Sequence, residues 1–245
     1  MKSKPTAGMW THDFILMLLI SILATNAISI INAITSVYVV DTLGATASQV
    51  GIVSSAMVLC AILFRPAAGF LIDRLGRKGV LIAATLLMAL ANAALLFPIG
   101  ISAMVMIRLF SGIPFALSTT VMTTLISDVL EPQHRPAGLS YSTVVTMLIA
   151  MAVGPNMGLW VLERFGHRAV IYVATACGLS AAALALLVRA KNIRDASARL
   201  TLANMVERKA LWIALVLGFS FSGMSGVVTF SPLFSSEMGY NSAGT

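Results

Sequence analysis

Apolar residues fill long blocks of this chain, and polar residues gather in the joints between them. Positions 14–40 carry no charge, 47–72 carry only Arg65, and 79–127 carry only Arg108. The third block is too long for one helix, since crossing a bilayer core takes roughly 20 residues. Pro98 and Gly100 are turn signals that divide it into a third and a fourth span. A fifth span covers 137–162, a sixth 169–188 and a seventh 210–234. In lipid only a helix or a closed barrel satisfies its own backbone, and these blocks far exceed barrel strands. The pattern predicts an all-α membrane protein with seven transmembrane helices.

Composition agrees. Hydrophobic residues make up 58 % and charged residues 10 %, with a mean hydropathy of +0.94, against roughly 25 % charged in a soluble domain. A soluble enzyme and a disordered chain are both excluded. Lys2 and Lys4 before the first block also suit a cleaved leader. The apolar part of a leader is only about 7–15 residues, however, so the block is expected to stay as a span. Cys60, Cys177 and the 14 methionines read as packing. The histidines His12, His134 and His167 stand at joints. With no His/Cys/acid cluster and no nucleophile–base set, no metal, cofactor, nucleic acid or enzymatic chemistry is expected.

Lys and Arg set the orientation of a membrane chain. With the N-terminus inside, the inner joints hold Lys2 and Lys4, the trio Arg74, Arg77 and Lys78, then Arg135, and six bases between 189 and 209. The outer joints hold only Arg164 and Arg168. Twelve bases against two predict a cytoplasmic N-terminus in the cell membrane.

One joint is long. The basic stretch 189–209 separates a six-helix block, 14–188, from the remainder of the chain. Beyond it, 233–241 (LFSSEMGYN) echoes 38–46 (YVVDTLGAT) at an offset of 195 residues. Each copy places an acid near a Leu/Met-Gly pair, then Asn or Thr at an expected N-cap. The expected organisation is a cytoplasmic N-terminus (1–13), a six-helix bundle (14–188), a cytoplasmic linker (189–209), and a seventh helix opening a second bundle (210–245). That is the first part of a twelve-helix protein, with the rest of the second bundle missing.

The most informative stretch is Gly69-Phe70-Leu71-Ile72-Asp73-Arg74-Leu75-Gly76-Arg77-Lys78, between spans two and three. Gly69 is expected to let helices approach closely, and Gly76 to make the turn. An ordinary positive-inside loop explains the three bases but not the glycines or Asp73. The pattern resembles the signature loop of the major facilitator superfamily. Helix count, linker and half-repeat fit the same family across the whole chain. The resemblance implies a secondary transporter in which Asp73, with Arg74, Arg77 and Lys78, holds two bundles together in one state and releases them in the other. Asp128, at the inner end of span four, is the expected local partner of Arg77.

Other candidates lie within spans. Arg108 either faces a cavity or partner, or snorkels outward. Arg108 and Gly112 match the family's R-x-x-x-G motif, whose Arg is associated with proton coupling. Arg65, before Pro66, either lines the cavity or snorkels inward. Gly154, Pro155 and Gly158 either serve packing alone or form the core of the family's antiporter motif. Tyr141, Ala150 and Leu159 stand where that motif has further glycines. Thr25, Asn26, Ser29 and Asn32 are polar in mid-span, and either bond neighbouring helices or line a substrate cavity. No carboxylate lies at mid-membrane, so a proton-carrying acid would lie in the missing half, at a span end, or in the substrate.

The resemblance therefore implies alternating-access, proton-coupled export of small organic molecules, with lipid, substrate and protons as partners. A non-transporting fragment of such a carrier fits the same pattern. A seven-helix receptor would put its N-terminus outside, and a retinal protein needs a lysine in span seven, where none occurs.

Overall fold

In the computed structural model the described residues are 8–97, 100–189, 212 and 216. Five α-helices succeed one another: α1 (His12–Leu43), α2 (Ala47–Leu75), α3 (Arg77–Ala93), α4 (Ile101–Val129) and α5 (Arg135–Leu187). Each stretch is long and apolar enough to cross a membrane, once a 3-10 turn (Ala94–Leu96) is added to α3. No strand occurs among the described residues.

The seven expected helices are not all here as separate elements. The 53 residues of α5 would measure about 80 Å as one straight helix, over twice a bilayer core of roughly 30 Å. The run instead breaks at Gly166, where φ is 77° and ψ is 176°. Its two arms, 135–165 and 167–187, cover the expected fifth span and all but the last residue of the sixth, with one glycine between them rather than a loop. The seventh span, 210–234, lies outside the described residues apart from 212 and 216.

Local chemistry sets the joints. Thr11 caps α1 by accepting the Phe14 N–H at 3.2 Å. Gly44, at φ 62°, closes α1 in the left-handed conformation that favours glycine. Thr46 and Gln49 form a reciprocal capping box at the start of α2. Gly76 alone joins α2 to α3. Its φ is 95°, its N–H donates to Ile72 O and its carbonyl accepts the Val80 N–H, each at 3.1 Å.

The helices alternate in direction, so one end of the bundle carries the start of α1, the α2–α3 joint, the α4–α5 joint and the close of α5. Around that end Phe14, Met17, Ile20, Leu81 and Leu125 form one apolar core. Toward the opposite end Ile30, Ile34, Val53, Met104 and Val170 form another. α1 packs mainly on α5, and α2 mainly on α4. The second arm of α5 seats Gly178 against Ala89 of α3, where an added Cβ would stand 3.1 Å from the Ala89 Cβ.

Candidate functional site

Three groups of side chains stand out, and the helix joints position each of them. The first lies at the α2–α3 joint. α3 begins at Arg77, so Arg77 and Lys78 form the first turn of a helix rather than part of a loop. Cations are unfavourable at a helix N-terminus, which carries partial positive charge. Both find negative partners. Arg77 Nη1 pairs with Asp128 Oδ2 at the end of α4. Lys78 Nζ donates to the Leu186 carbonyl at 2.8 Å, near the close of α5. The joint thereby tethers α3 to two neighbours. Arg74 lies over the Phe70 ring, 5.6 Å from its centroid. Asp73 is exposed and has no hydrogen bond or ion pair among the described residues.

Gly69 meets no helix among the described residues: a Cβ added there would meet nothing within 4 Å. The crowded glycine on the α2–α4 contact is Gly112. Its added Cβ would stand 2.5 Å from the Met57 carbonyl oxygen, 2.7 Å from the Cys60 Cβ and 2.9 Å from the Ala61 nitrogen. Two of those atoms are backbone, so α2 rests directly on α4 at this level.

The second group lies one turn away on α4. Arg108 is only 4 % exposed. Its Nη2 donates to Asn32 Oδ1 on α1 at 2.8 Å, and its Nη1 lies 3.9 Å from the Met57 sulfur on α2. Its Nε has no partner among the described residues. Arg108 thus faces α1 and α2 inside the bundle and does not snorkel. Asn32 itself is exposed. Arg65 is exposed on α2, with no bond or ion pair among the described residues.

The third group is the seam between α1 and the first arm of α5. Ser29 Oγ donates to the Ala150 carbonyl at 2.6 Å. An added Cβ on Gly154 would stand 2.6 Å from Ser29 Oγ and 3.3 Å from Asn26 Oδ1. Gly158 faces Ile30 more loosely, 3.4 Å from its carbonyl oxygen. Pro155 lies between the glycines, inside the helix. Asn26 is buried; its Nδ2 bonds back to Ile22 O, and its Oδ1 has no partner among the described residues. Of the polar residues on α1, then, Ser29 joins a neighbouring helix and Asn32 holds Arg108. Thr25 bonds only within its own helix.

Two contacts carry no sequence signal. Lys78 reaches a backbone carbonyl, which every residue offers. At the opposite end the Tyr38 and His167 rings meet edge to face at 5.1 Å, beside the Gly166 break. Among the described residues no group of three or more His, Cys, Asp or Glu could hold a metal ion.

Comparison with known proteins fits this architecture. The chain is 36 % identical over 98 residues to YwtG of Bacillus subtilis (strain 168), a protein named for metabolite transport, covering 40 % of this chain and 21 % of that protein. It is 32 % identical over 136 residues to the multi-drug resistance efflux pump PmrA of Streptococcus pneumoniae serotype 4 (strain ATCC BAA-334 / TIGR4), covering 54 % and 33 %. A crystal structure of a mutant of the peptide transporter POT in complex with sulfate superposes with a TM-score of 0.65 at 18 % identity, covering 93 % of this chain and 48 % of that one. The chain therefore spans less than half the length of each of these proteins. Residues 17–245 match the family described as Major Facilitator Superfamily. That match takes in nearly all of the chain, which therefore belongs to the Major Facilitator Superfamily.

Proposed function

We propose that the chain forms the N-terminal bundle and seventh span of a secondary carrier that exports small organic molecules in exchange for protons. In this reading 1–13 is cytoplasmic, 14–188 is one wall of the substrate path, and 189–209 is a basic cytoplasmic linker in the cell membrane. Residues 210–245 open the second bundle, which is the other wall. The likeness to a named efflux pump supports export, as does the Gly154-Pro155-Gly158 seam.

The observation that carries the reading is Arg108. A charge placed in a span costs about 2.5–3.5 kcal/mol on insertion scales, so it is kept only where it works. Held by Asn32 and Met57, the guanidinium keeps a fixed position while its Nε has no partner among the described residues. Such a cation lowers the proton affinity of an acid brought near it, and releases that effect when the acid moves away, which is what coupling requires. At the basic end, the Arg77–Asp128 pair and the uncommitted Asp73 supply contacts that differ between two states. A carrier that alternates needs that difference.

The test uses inside-out vesicles from cells making the full-length carrier, with an acidified lumen. A panel of neutral, cationic and anionic dyes is offered outside. Accumulation of a dye that stops when the pH gradient is collapsed, and that is lost in Arg108→Ala, is expected. Accumulation indifferent to the gradient rejects proton coupling, and none for any dye rejects export.

A further inference from the structure

The charges inside the apolar blocks are all of one sign. Across the seven blocks there are two arginines, Arg65 and Arg108, and no Asp or Glu. Asp13, Asp41, Asp73, Asp128 and Glu163 all stand within three residues of a helix end or of the Gly166 break. The two arginines differ in their surroundings. Arg108 is buried and held by Asn32. Arg65 is exposed, with no bond or ion pair among the described residues.

Depth separates Arg65 from an ordinary surface base. It lies seven residues before Ile72, where the apolar block ends, about 10 Å along α2 at 1.5 Å per residue and a third of a bilayer core of roughly 30 Å. An exposed guanidinium at this depth either reaches toward the basic end along its own stem or faces a watered path or an opposite charge, and we take the second for Arg65. α2 and α4 run in the same direction, and Met57 stands level with both Arg108 and Gly112. Arg65 is eight residues further along α2, about 12 Å toward the basic end. Two fixed positive charges are therefore set one after the other along this helix pair, with no fixed carboxylate between them.

We infer that the cargo is an organic anion, whose carboxylate pairs with Arg65 in the field of Arg108. An Arg–carboxylate pair is bidentate and charge-assisted, and its planar fork gives direction as well as attraction. A cationic cargo would meet two like charges and no counter-charge on this wall. The inference rests on the proposed carrier function, but on neither its proton coupling nor its direction.

The test is equilibrium binding to the purified full-length carrier in lipid nanodiscs, with no gradient imposed. The probes are radiolabelled benzoate, benzylamine and benzyl alcohol, which share a ring and differ in charge. Benzoate should bind and the other two should not. Arg65→Gln should weaken benzoate binding about tenfold or more, the loss of one charge-assisted pair, while Arg65→Lys keeps part of it. Preference for benzylamine, binding of none of the three, or benzoate binding unchanged in Arg65→Gln overturns the inference. Should Arg65→Gln not fold, the preference among the three probes on the unaltered carrier still decides it. Gradient-driven export of a cationic dye, joined to benzylamine binding, would leave the proposed export standing and remove only the anion.

Discussion

Asn32 on α1 accepts a hydrogen bond from Arg108 on α4 at 2.8 Å, so a neutral amide steadies the buried guanidinium. The amide fixes the direction of the charge without cancelling it. Asn32→Ala should remove a charge-assisted bond worth about 1.5–3 kcal/mol and leave Arg108 with fewer partners. Lower thermal stability and lower transport are expected together, with Asn32→Asp keeping stability but losing transport, because the new carboxylate neutralises the charge. Melting curves and vesicle uptake on the same preparations check both.

Gly112 and Gly69 should separate cleanly on substitution by alanine. At Gly112 the new Cβ meets the α2 backbone, and overpacking of this kind costs about 1–3 kcal/mol. At Gly69 it meets open space, and alanine is a better helix former than glycine by about 0.5–1 kcal/mol. The midpoint of thermal unfolding in detergent should fall for Gly112→Ala and hold or rise for Gly69→Ala.

The Arg77–Asp128 pair is partly exposed, so its coupling should be modest, about 1 kcal/mol in a double-mutant cycle and smaller at high salt. Asp73 should behave differently, having no partner among the described residues. Asp73→Asn should leave stability near the unaltered value and impair turnover, if its charge serves the other conformational state. A melting curve and a transport rate for each variant separate the two roles.

Single cysteines should report the proposed sidedness. In a Cys60→Ala/Cys177→Ala background, a cysteine placed between 189 and 209 should resist a membrane-impermeant maleimide in intact cells. One at Arg164 or Arg168 should react. The reverse pattern would invert the topology.

The apolar blocks were legible because lipid asks for a run of fixed length, a property of composition alone. The joint at Gly76 was legible because a short turn admits few residues. Gly69 and Gly112 show where sequence reading ends. Both are glycines in apolar helices, and only the pairing of α2 with α4 decides which one is crowded. That pairing leaves no periodic trace, since helices in lipid are apolar on most sides. Asn32 and Arg108 could each be singled out as polar residues in spans. Their bond depends on the approach of helices 76 residues apart in sequence. Gly166 was harder still, because a single glycine did what a loop was expected to do between the fifth and sixth spans.

The single residue joining α2 to α3 bears on how this gene can vary. Connections between elements usually tolerate insertions and deletions, because slack in a loop absorbs the change. Gly76 has no slack: it ends one helix and begins the next. One residue added there would break the paired bonds of Gly76 to Ile72 and Val80 and displace Arg77 from Asp128. Length is therefore fixed at this joint as strictly as residue identity. Descendants of this sequence can be expected to change its neighbours by substitution while keeping the count between Asp73 and Lys78.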